Sequence, residues 1–335
     1  MKKKILKVGV IGIGNMGRHH ARIYSQLIGV SLKAVADISA TAGRVIAKRY
    51  NCKFYQSYKK MLAEEKLNAV SIAVPTHLHK KVALDCINQG VSVFIEKPIS
   101  MTLGDAQQII QAARKQKVTL AVGHVERFNP AVQKLKDFIK QGKFGKITSI
   151  WIKRVGLFPP QAKNANVITD LAVHDIDVCN YLLAQKPKRV YAKAGKALNS
   201  RRLDYASIFL DYGAVDVSIQ VNWITPIKIR KLSITGTKGY AELDYINQHF
   251  KMYENNYQKG FDSYGDFIIK FGTPKVERIK IKTEEPLKLE LQNFSDYLQS
   301  RKGIIVSGKE ALVNLEVALR AIESHKTARI MDVKT

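Results

Sequence analysis

The sequence predicts an α/β chain in two parts. A doubly wound parallel sheet is expected over residues 1–124, then an α+β domain over 125–335 built on a largely antiparallel open sheet. Three observations predict this. Apolar runs of strand length alternate with helical stretches through the first part, the rhythm of a parallel sheet covered by helices. A G-x-G-x-x-G turn joins the first strand to the first helix. Past residue 125 come consecutive β-like runs punctuated by Gly, Asn and Pro, the pattern of an antiparallel sheet with one face to cover.

The opening, MKKKILKVGVIGIG, has the basic head and apolar run of a signal peptide. Lys7 interrupts the run, no small-residue cleavage site follows, and the run ends in glycines, so it reads as a first strand. Gly12 permits the tight turn, Gly14 lets the backbone approach a diphosphate, and Gly17 lets the helix pack closely on the strand. Asn15 and Met16 lie between them, and the helix that follows points its first N–H groups at an anion. The run SLKAVAD ends in Asp37, where a carboxylate accepts from ribose hydroxyls and repels a 2′-phosphate. A Rossmann domain binding NAD rather than NADP is therefore expected.

The alternation continues with TAGRVIAKRY as helix, NAVSIAV as buried strand and LHKKVALDCINQG as a helix closed by Gly90. VSVFIEKP reads as strand, LGDAQQIIQAARKQK as helix and VTLAVGH as strand. Ligands bind at the carboxyl ends of such strands. This singles out Pro75, Thr76 and His79 in VPTHLH, Glu96 and Lys97 in EKP, and His124, Arg127 and Asn129 in GHVERFNP. The first five join the glycine turn as expected cofactor-binding residues, and Arg127 and Asn129 are expected to bind substrate. His79 and His124 read equally as first-turn contacts and loop packing, and neither is given a catalytic role. Lys97 follows its apolar strand directly, at the rim where a nicotinamide would lie. The ring's positive charge would lower the lysine's pKa and let it share a proton with a substrate hydroxyl.

In the second part, NPAVQKLKDFIKQG reads as helix, KITSIWIKRVG as strand and LFPPQAKNAN as loop. The helix expected over 167–184 turns about 100° per residue, which puts Asp170, His174, Asp177 and Tyr181 on one stripe. Ile168, Leu171, Ala172, Ile176, Cys179, Leu182 and Leu183 cover the opposite side. A solvated outer face is the plain reading of such a stripe, yet it carries no Lys or Glu. Two carboxylates flanking an imidazole is the composition wanted for proton transfer. Asp175 points to the apolar side, where a buried ion pair is expected. Six β-like runs follow, from KRVYAKAGKAL to HFKMYEN. YQKGFDSYGDFIIKFGTPKVE reads as an irregular loop, mobile or in contact with a second subunit. Two closing helices, near 287–301 and 308–326, can pack back on the first domain.

Composition sets outer limits. At 335 residues, 46% hydrophobic and 25% charged, the chain has the make-up of a globular protein with two cores. No apolar stretch approaches the ~20 residues of a membrane helix. Cys52, Cys86 and Cys179 have no metal or redox spacing, which points to a reducing cytoplasm and no metal. The net charge of +27 would suit nucleic acid or an anionic ligand. The basic residues are dispersed, with acids nearby, and no nucleic-acid motif stands out, so a specific nucleic-acid partner is not expected.

Taken together, the glycine motif with GRHH behind it, PTHLH, EKP, GHVERFNP and D-x-x-x-H in DLAVHDID resemble the Gfo/Idh/MocA family of NAD(P)-dependent sugar and cyclitol oxidoreductases. The resemblance extends over essentially the whole chain. It implies that Lys97, Asp170 and His174 meet over the nicotinamide as catalytic and substrate-binding residues. It also implies a homodimer or homotetramer that buries the open sheet. Within the family the phrasing is nearest to nucleotide-sugar 3-dehydrogenases, which implies UDP-N-acetylglucosamine or its uronic acid as substrate. Glu126 stands where many monosaccharide enzymes of the family carry Arg. The rival expectations are a dehydrogenase of a free sugar or inositol, and an NAD-binding regulatory protein without turnover.

Overall fold

The computed structural model describes residues 5–158, 166–198, 201–254, 257–261, 263–264 and 266–334. The chain divides into two compact units, one running to Phe128 and including Glu285–Glu316, the other comprising Asn129–Glu284 and Val317–Lys334. The break lies slightly beyond residue 124, and the carboxy-terminal segment is shared between the units.

The first unit runs β1 (Leu6–Ile11), α1 (Gly17–Gln26), β2 (Val30–Ala36), α2 (Ala40–Arg49), β3 (Lys53–Tyr55), α3 (Tyr58–Glu64), β4 (Ala69–Ile72), α4 (His79–Asn88), β5 (Ser92–Glu96), α5 (Leu103–Lys115) and β6 (Leu120–Gly123). The sheet order is β3-β2-β1-β4-β5-β6, and every pairing is parallel. The order reverses between β1 and β4, which opens a crevice at their carboxyl ends. Every residue of β4 and β6 is buried, as strands covered on both faces must be. The Ser39 and Thr102 side chains accept from Ala42 N–H and Asp105 N–H, fixing where α2 and α5 begin. Two elements, β3 and α3, were not among those expected. Three residues are too few to register a strand period, and seven barely make two helical turns.

The second unit runs α6 (Pro130–Lys140), β7 (Ile147–Val155), a π-helical turn (Ile168–Ala172), α7 (Val173–Leu183), β8 (Arg189–Gly195), β9 (Tyr205–Asp211), β10 (Asp216–Asn222), β11 (Ile229–Gly236), β12 (Gly239–Asp244), β13 (His249–Glu254), β14 (Tyr257–Phe261), β15 (Phe267–Phe271) and β16 (Lys275–Ile279). The chain closes with α8 (Pro286–Ser300), α9 (Gly308–Thr327) and β17 (Met331–Asp332). Nine strands form one sheet in the order β16-β13-β12-β11-β7-β10-β9-β8-β17. All neighbours are antiparallel except β7 and β10. Exposed and buried residues alternate along β8, β9 and β10, so one face is apolar and covered while the other is open. On the covered face Phe138 of α6 meets Phe250 of β13 edge-on at 5.3 Å.

Two expectations are corrected. The irregular loop expected over 257–277 is instead an antiparallel ribbon of β14 on β15, followed by β16 on the edge of the main sheet. Its glycines masked the strand pattern. The helix expected over 167–184 opens as a π turn and becomes α-helical only from Val173. Most of LFPPQAKNAN lies outside the described residues.

The segment that returns to the first unit completes its core. Leu287, Leu291 and Phe294 of α8 pack with Leu6, Val8 and Tyr24, and Phe294 meets Phe94 of β5 at 5.4 Å. The Val122 N–H donates to the Val306 carbonyl at 3.0 Å, so returning backbone covers the β6 edge. Among the described residues no helix is long and apolar enough to cross a membrane.

Candidate active site

The glycine turn after β1 shows three different uses of a missing side chain. Gly12 has φ +86°, and a Cβ there would lie 2.7 Å from the Ala73 carbonyl oxygen. A Cβ on Gly17 would come within 1.7 Å of the Gly12 carbonyl oxygen, so α1 could not start where it does. A Cβ on Gly14 would meet nothing within 4 Å and would project into open space at the turn. That is the space a diphosphate needs above the first N–H groups of α1. Asn15 and Met16 complete the turn, the Asn15 side-chain oxygen accepting from Arg18 at 3.0 Å. Asp37 follows β2 with its carboxylate held by the Ile13 N–H at 2.6 Å and the Ser39 N–H at 2.7 Å. Each oxygen keeps lone-pair capacity for a ribose hydroxyl. Beside it lies a mainly apolar cavity of about 270 Å³, lined by Gly12, Gly14, Asp37, Tyr58, Val74 and Pro75 among others. Its size and chemistry fit an adenosine, with the carboxylate placed against a 2′-phosphate. The residues present therefore fit NAD.

The strand ends beyond this cavity carry Thr76, His79, Glu96 and Lys97. Pro75 and Thr76 open a short 3-10 turn after β4, and His79 begins α4. His79 is buried, with Nδ1 2.9 Å from the Pro98 carbonyl oxygen and Nε2 2.9 Å from that of Val74. Expected to bind cofactor, it has main-chain oxygen within hydrogen-bonding distance of both ring nitrogens. Glu96, the last residue of β5, is buried and lies 2.8 Å from Nε2 of His20 on α1. Burial pushes its carboxyl up, but the His20 bond and the Lys97 charge outweigh that and hold it below its ordinary value. Lys97 follows, half-buried, at the carboxyl edge of the sheet. His20 was not singled out from sequence. Its signal was its position three residues after Gly17, on the helix face that must pack against the sheet.

In the second unit, the π turn carries Asp170 and α7 carries His174. Asn166 caps this segment, its side-chain oxygen accepting from the N–H groups of Ile168 at 2.9 Å and Thr169 at 3.1 Å. A π turn holds a little over four residues, so residues four apart still stack, and Asp170 and His174 share a face. Both are half-buried. The rest of the expected polar stripe continues along α7 but is less open. Asp177 is buried, and the Tyr181 hydroxyl donates to Gln133 at 2.9 Å. Packing against α6 covers this end of the stripe.

Two buried cations hold α7 in place. Arg154 on β7 donates from Nε to both carboxylate oxygens of Asp175 at 2.8 Å, and its Nη2 also lies 2.8 Å from Oδ1. This is the ion pair expected for Asp175. Lys136 on α6 donates to the carbonyls of Tyr181 at 2.6 Å and Leu182 at 2.9 Å, closing the helix's last turn.

The residues expected to bind substrate after β6 have structural employment. Arg127 is buried and paired with Glu310. The Asn129 side-chain oxygen caps α6 by accepting from Ala131 N–H at 3.1 Å, while its amide nitrogen donates to the Tyr245 carbonyl at 2.9 Å. His124 is buried too, its Nε2 3.5 Å from the Asn314 amide.

Comparison with known proteins adds to this geometry. Residues 6–124 match a family model described as an oxidoreductase family with an NAD-binding Rossmann fold, and residues 132–242 match the GFO/IDH/MocA C-terminal domain. The chain belongs to the Gfo/Idh/MocA family. As a member it is an NAD-dependent oxidoreductase. It is 28% identical to the UDP-N-acetylglucosamine 3-dehydrogenase of Acidithiobacillus ferrooxidans, over 94% of this chain and 96% of that protein. A solved structure of that enzyme superposes with a TM-score of 0.84 at 25% identity, covering 96% of this chain and 98% of the other. The inositol 2-dehydrogenase of Salmonella typhimurium is also 28% identical, over 72% of this chain and 74% of that protein. The myo-inositol 2-dehydrogenase of Thermotoga maritima is 23% identical over 98% of this chain and 99% of its own length.

Proposed function

We propose that the protein oxidises a secondary alcohol on a nucleotide sugar, the 3-hydroxyl of UDP-N-acetylglucosamine, to a 3-keto sugar. The observation that carries this reading is identity and reach taken together. The UDP-sugar enzyme aligns at 28% over 94% of the chain, whereas the inositol enzymes align at 28% over 72% or at 23% over 98%. The net charge of +27 also suits a substrate bearing a diphosphate.

The glycine turn and Asp37 would hold NAD, which when bound would supply a hydride acceptor for the carbinol carbon. The chain's own residues handle the proton and the positioning. His174 takes the hydroxyl proton, Lys97 donates a hydrogen bond to the same oxygen, and Asp170 orients His174 or binds a neighbouring hydroxyl. The buried Arg154–Asp175 pair fixes the helix that carries His174. The three free cysteines fit a reducing cytoplasm as the place of action.

NADH formation with UDP-N-acetylglucosamine, its uronic acid and myo-inositol tests the substrate. The expected result is a kcat/KM for a UDP-sugar about 10²-fold or more above that for inositol, since a site built to bind a polar group discriminates by at least that much. Turnover of inositol with none of either UDP-sugar would move the assignment to the free cyclitol.

We also infer that a second copy of the chain covers the open sheet. Trp151, Phe209 and Tyr191 project from it, 61%, 50% and 37% exposed. A groove of about 470 Å³ runs between Trp151, Phe209 and Tyr240. An aromatic face of this kind marks an interaction site. Sedimentation equilibrium should give a dimer or tetramer, shifted toward monomer by Trp151→Lys with Phe209→Lys. A monomeric parent protein would sink the inference.

A further inference from the structure

Lys97 is bracketed by two buried imidazoles. One residue before it, Glu96 Oε1 meets His20 Nε2 at 2.8 Å, and one residue after it the Pro98 carbonyl oxygen lies 2.9 Å from His79 Nδ1. His79 is 1% exposed, and its other nitrogen, Nε2, lies 2.9 Å from the Val74 carbonyl oxygen. Val74 and Pro75 line the cavity beside the glycine turn. A single ring therefore ties the wall of the dinucleotide cavity after β4 to the turn after β5 that carries Lys97.

Both ring nitrogens of His79 lie within hydrogen-bonding distance of main-chain oxygen. Burial pushes its pKa below the ordinary imidazole value, against the two carbonyls and the Glu96 carboxylate, which favour the charged ring. A neutral ring donates to one carbonyl and an imidazolium to both. In neither form is a nitrogen turned toward a ligand.

We propose that His79 is a positioning residue for Lys97, fixing the Lys97–Pro98 turn through the Pro98 carbonyl rather than touching cofactor or substrate. This rests on the proposed role of Lys97 at the substrate hydroxyl. A lysine stem is flexible, so the ammonium is only as well placed as the backbone that launches it. A misplacement of about 1 Å at a reacting group costs on the order of 10²-fold in rate.

Two conservative substitutions separate the links. In His79→Asn the amide nitrogen takes the place of Nδ1 and can still donate to Pro98. In His79→Gln it takes the place of Nε2 and reaches Val74 instead. Each variant keeps a donor toward one of the two carbonyls, and Tm read alongside shows how much of any lost turnover comes from lost folding. Turnover should divide them, with kcat down on the order of 10²-fold in His79→Gln but within about threefold of the parent in His79→Asn. The Kd for NAD, read by calorimetry, should move little in either. Equal losses of kcat, unchanged kcat in both, or a loss confined to NAD affinity would overturn the inference.

A measurement on the unaltered protein covers the case in which a variant does not fold. With 15N-labelled histidine, the shifts of His79 should report a protonated Nδ1. A ring protonated only at Nε2 lacks the Pro98 link and refutes the proposal. Lys97→Ala is assayed alongside. Near-normal turnover there removes the role of Lys97 and the inference with it, whereas an inactive Lys97→Ala beside two equally impaired His79 variants overturns the inference alone.

Discussion

Lys97→Ala and His174→Ala should each lower kcat by about 10²–10⁴-fold, the usual contribution of a positioned acid–base group. The reason is chemical. Hydride cannot leave a neutral carbinol carbon without the hydroxyl proton moving, and that proton needs an acceptor whose approach is set in advance. Lys97 launches from the end of a strand buried on both faces, and His174 from a helix held at both ends by buried cations. NAD binding should change by less than about threefold in His174→Ala, because an interaction made in the transition state leaves ground-state affinity alone. On the proposed roles, the double variant should cost far less than the product of the singles, since either removal already forfeits most of the effect. Single-turnover NADH formation and NAD titration check both statements. Near-normal turnover in both single variants would defeat the assignment.

Arg154→Met should destabilise the protein by about 3–5 kcal/mol, the range seen when one partner of a buried ion pair is removed. Methionine keeps much of the volume, so the loss is electrostatic. Asp175 is 0% exposed and would lose the guanidinium that compensates it. Removing both charges should cost much less. Arg154→Met with Asp175→Leu is expected to recover most of the stability, because a buried pair is often no better than apolar residues of similar volume. Denaturant melts of the two singles and the double give the coupling directly. Should Arg154→Met lie within about 1 kcal/mol of the parent, the pair is not what pins α7 to its sheet.

What could be read from the chain was whatever a few consecutive residues encode. The glycine turn, the alternation of strand and helix, Asp37 at the end of β2, Lys97 after an apolar strand, and Asp170 four residues before His174 are all local patterns. Steric rules and hydrophobic periodicity fix them before any distant contact forms. The carboxylate on the apolar side of α7 was legible as half of an ion pair, because a charge there must find an opposite one.

Only the tertiary structure decided who the partners are. Arg154 answers Asp175 from a strand, His20 answers Glu96 from the helix behind the glycine turn, and Arg127 and Asn129 turn from a strand end toward Glu310 and Tyr245. The π turn, the burial of Asp177, the bond of Tyr181 to Gln133 and the ribbon of β14 on β15 belong to the same class. The physical reason is common to them all. A backbone preference is set by neighbours along the chain, but a polar side chain is satisfied by whatever packing brings near. Packing is a property of residues far apart in sequence.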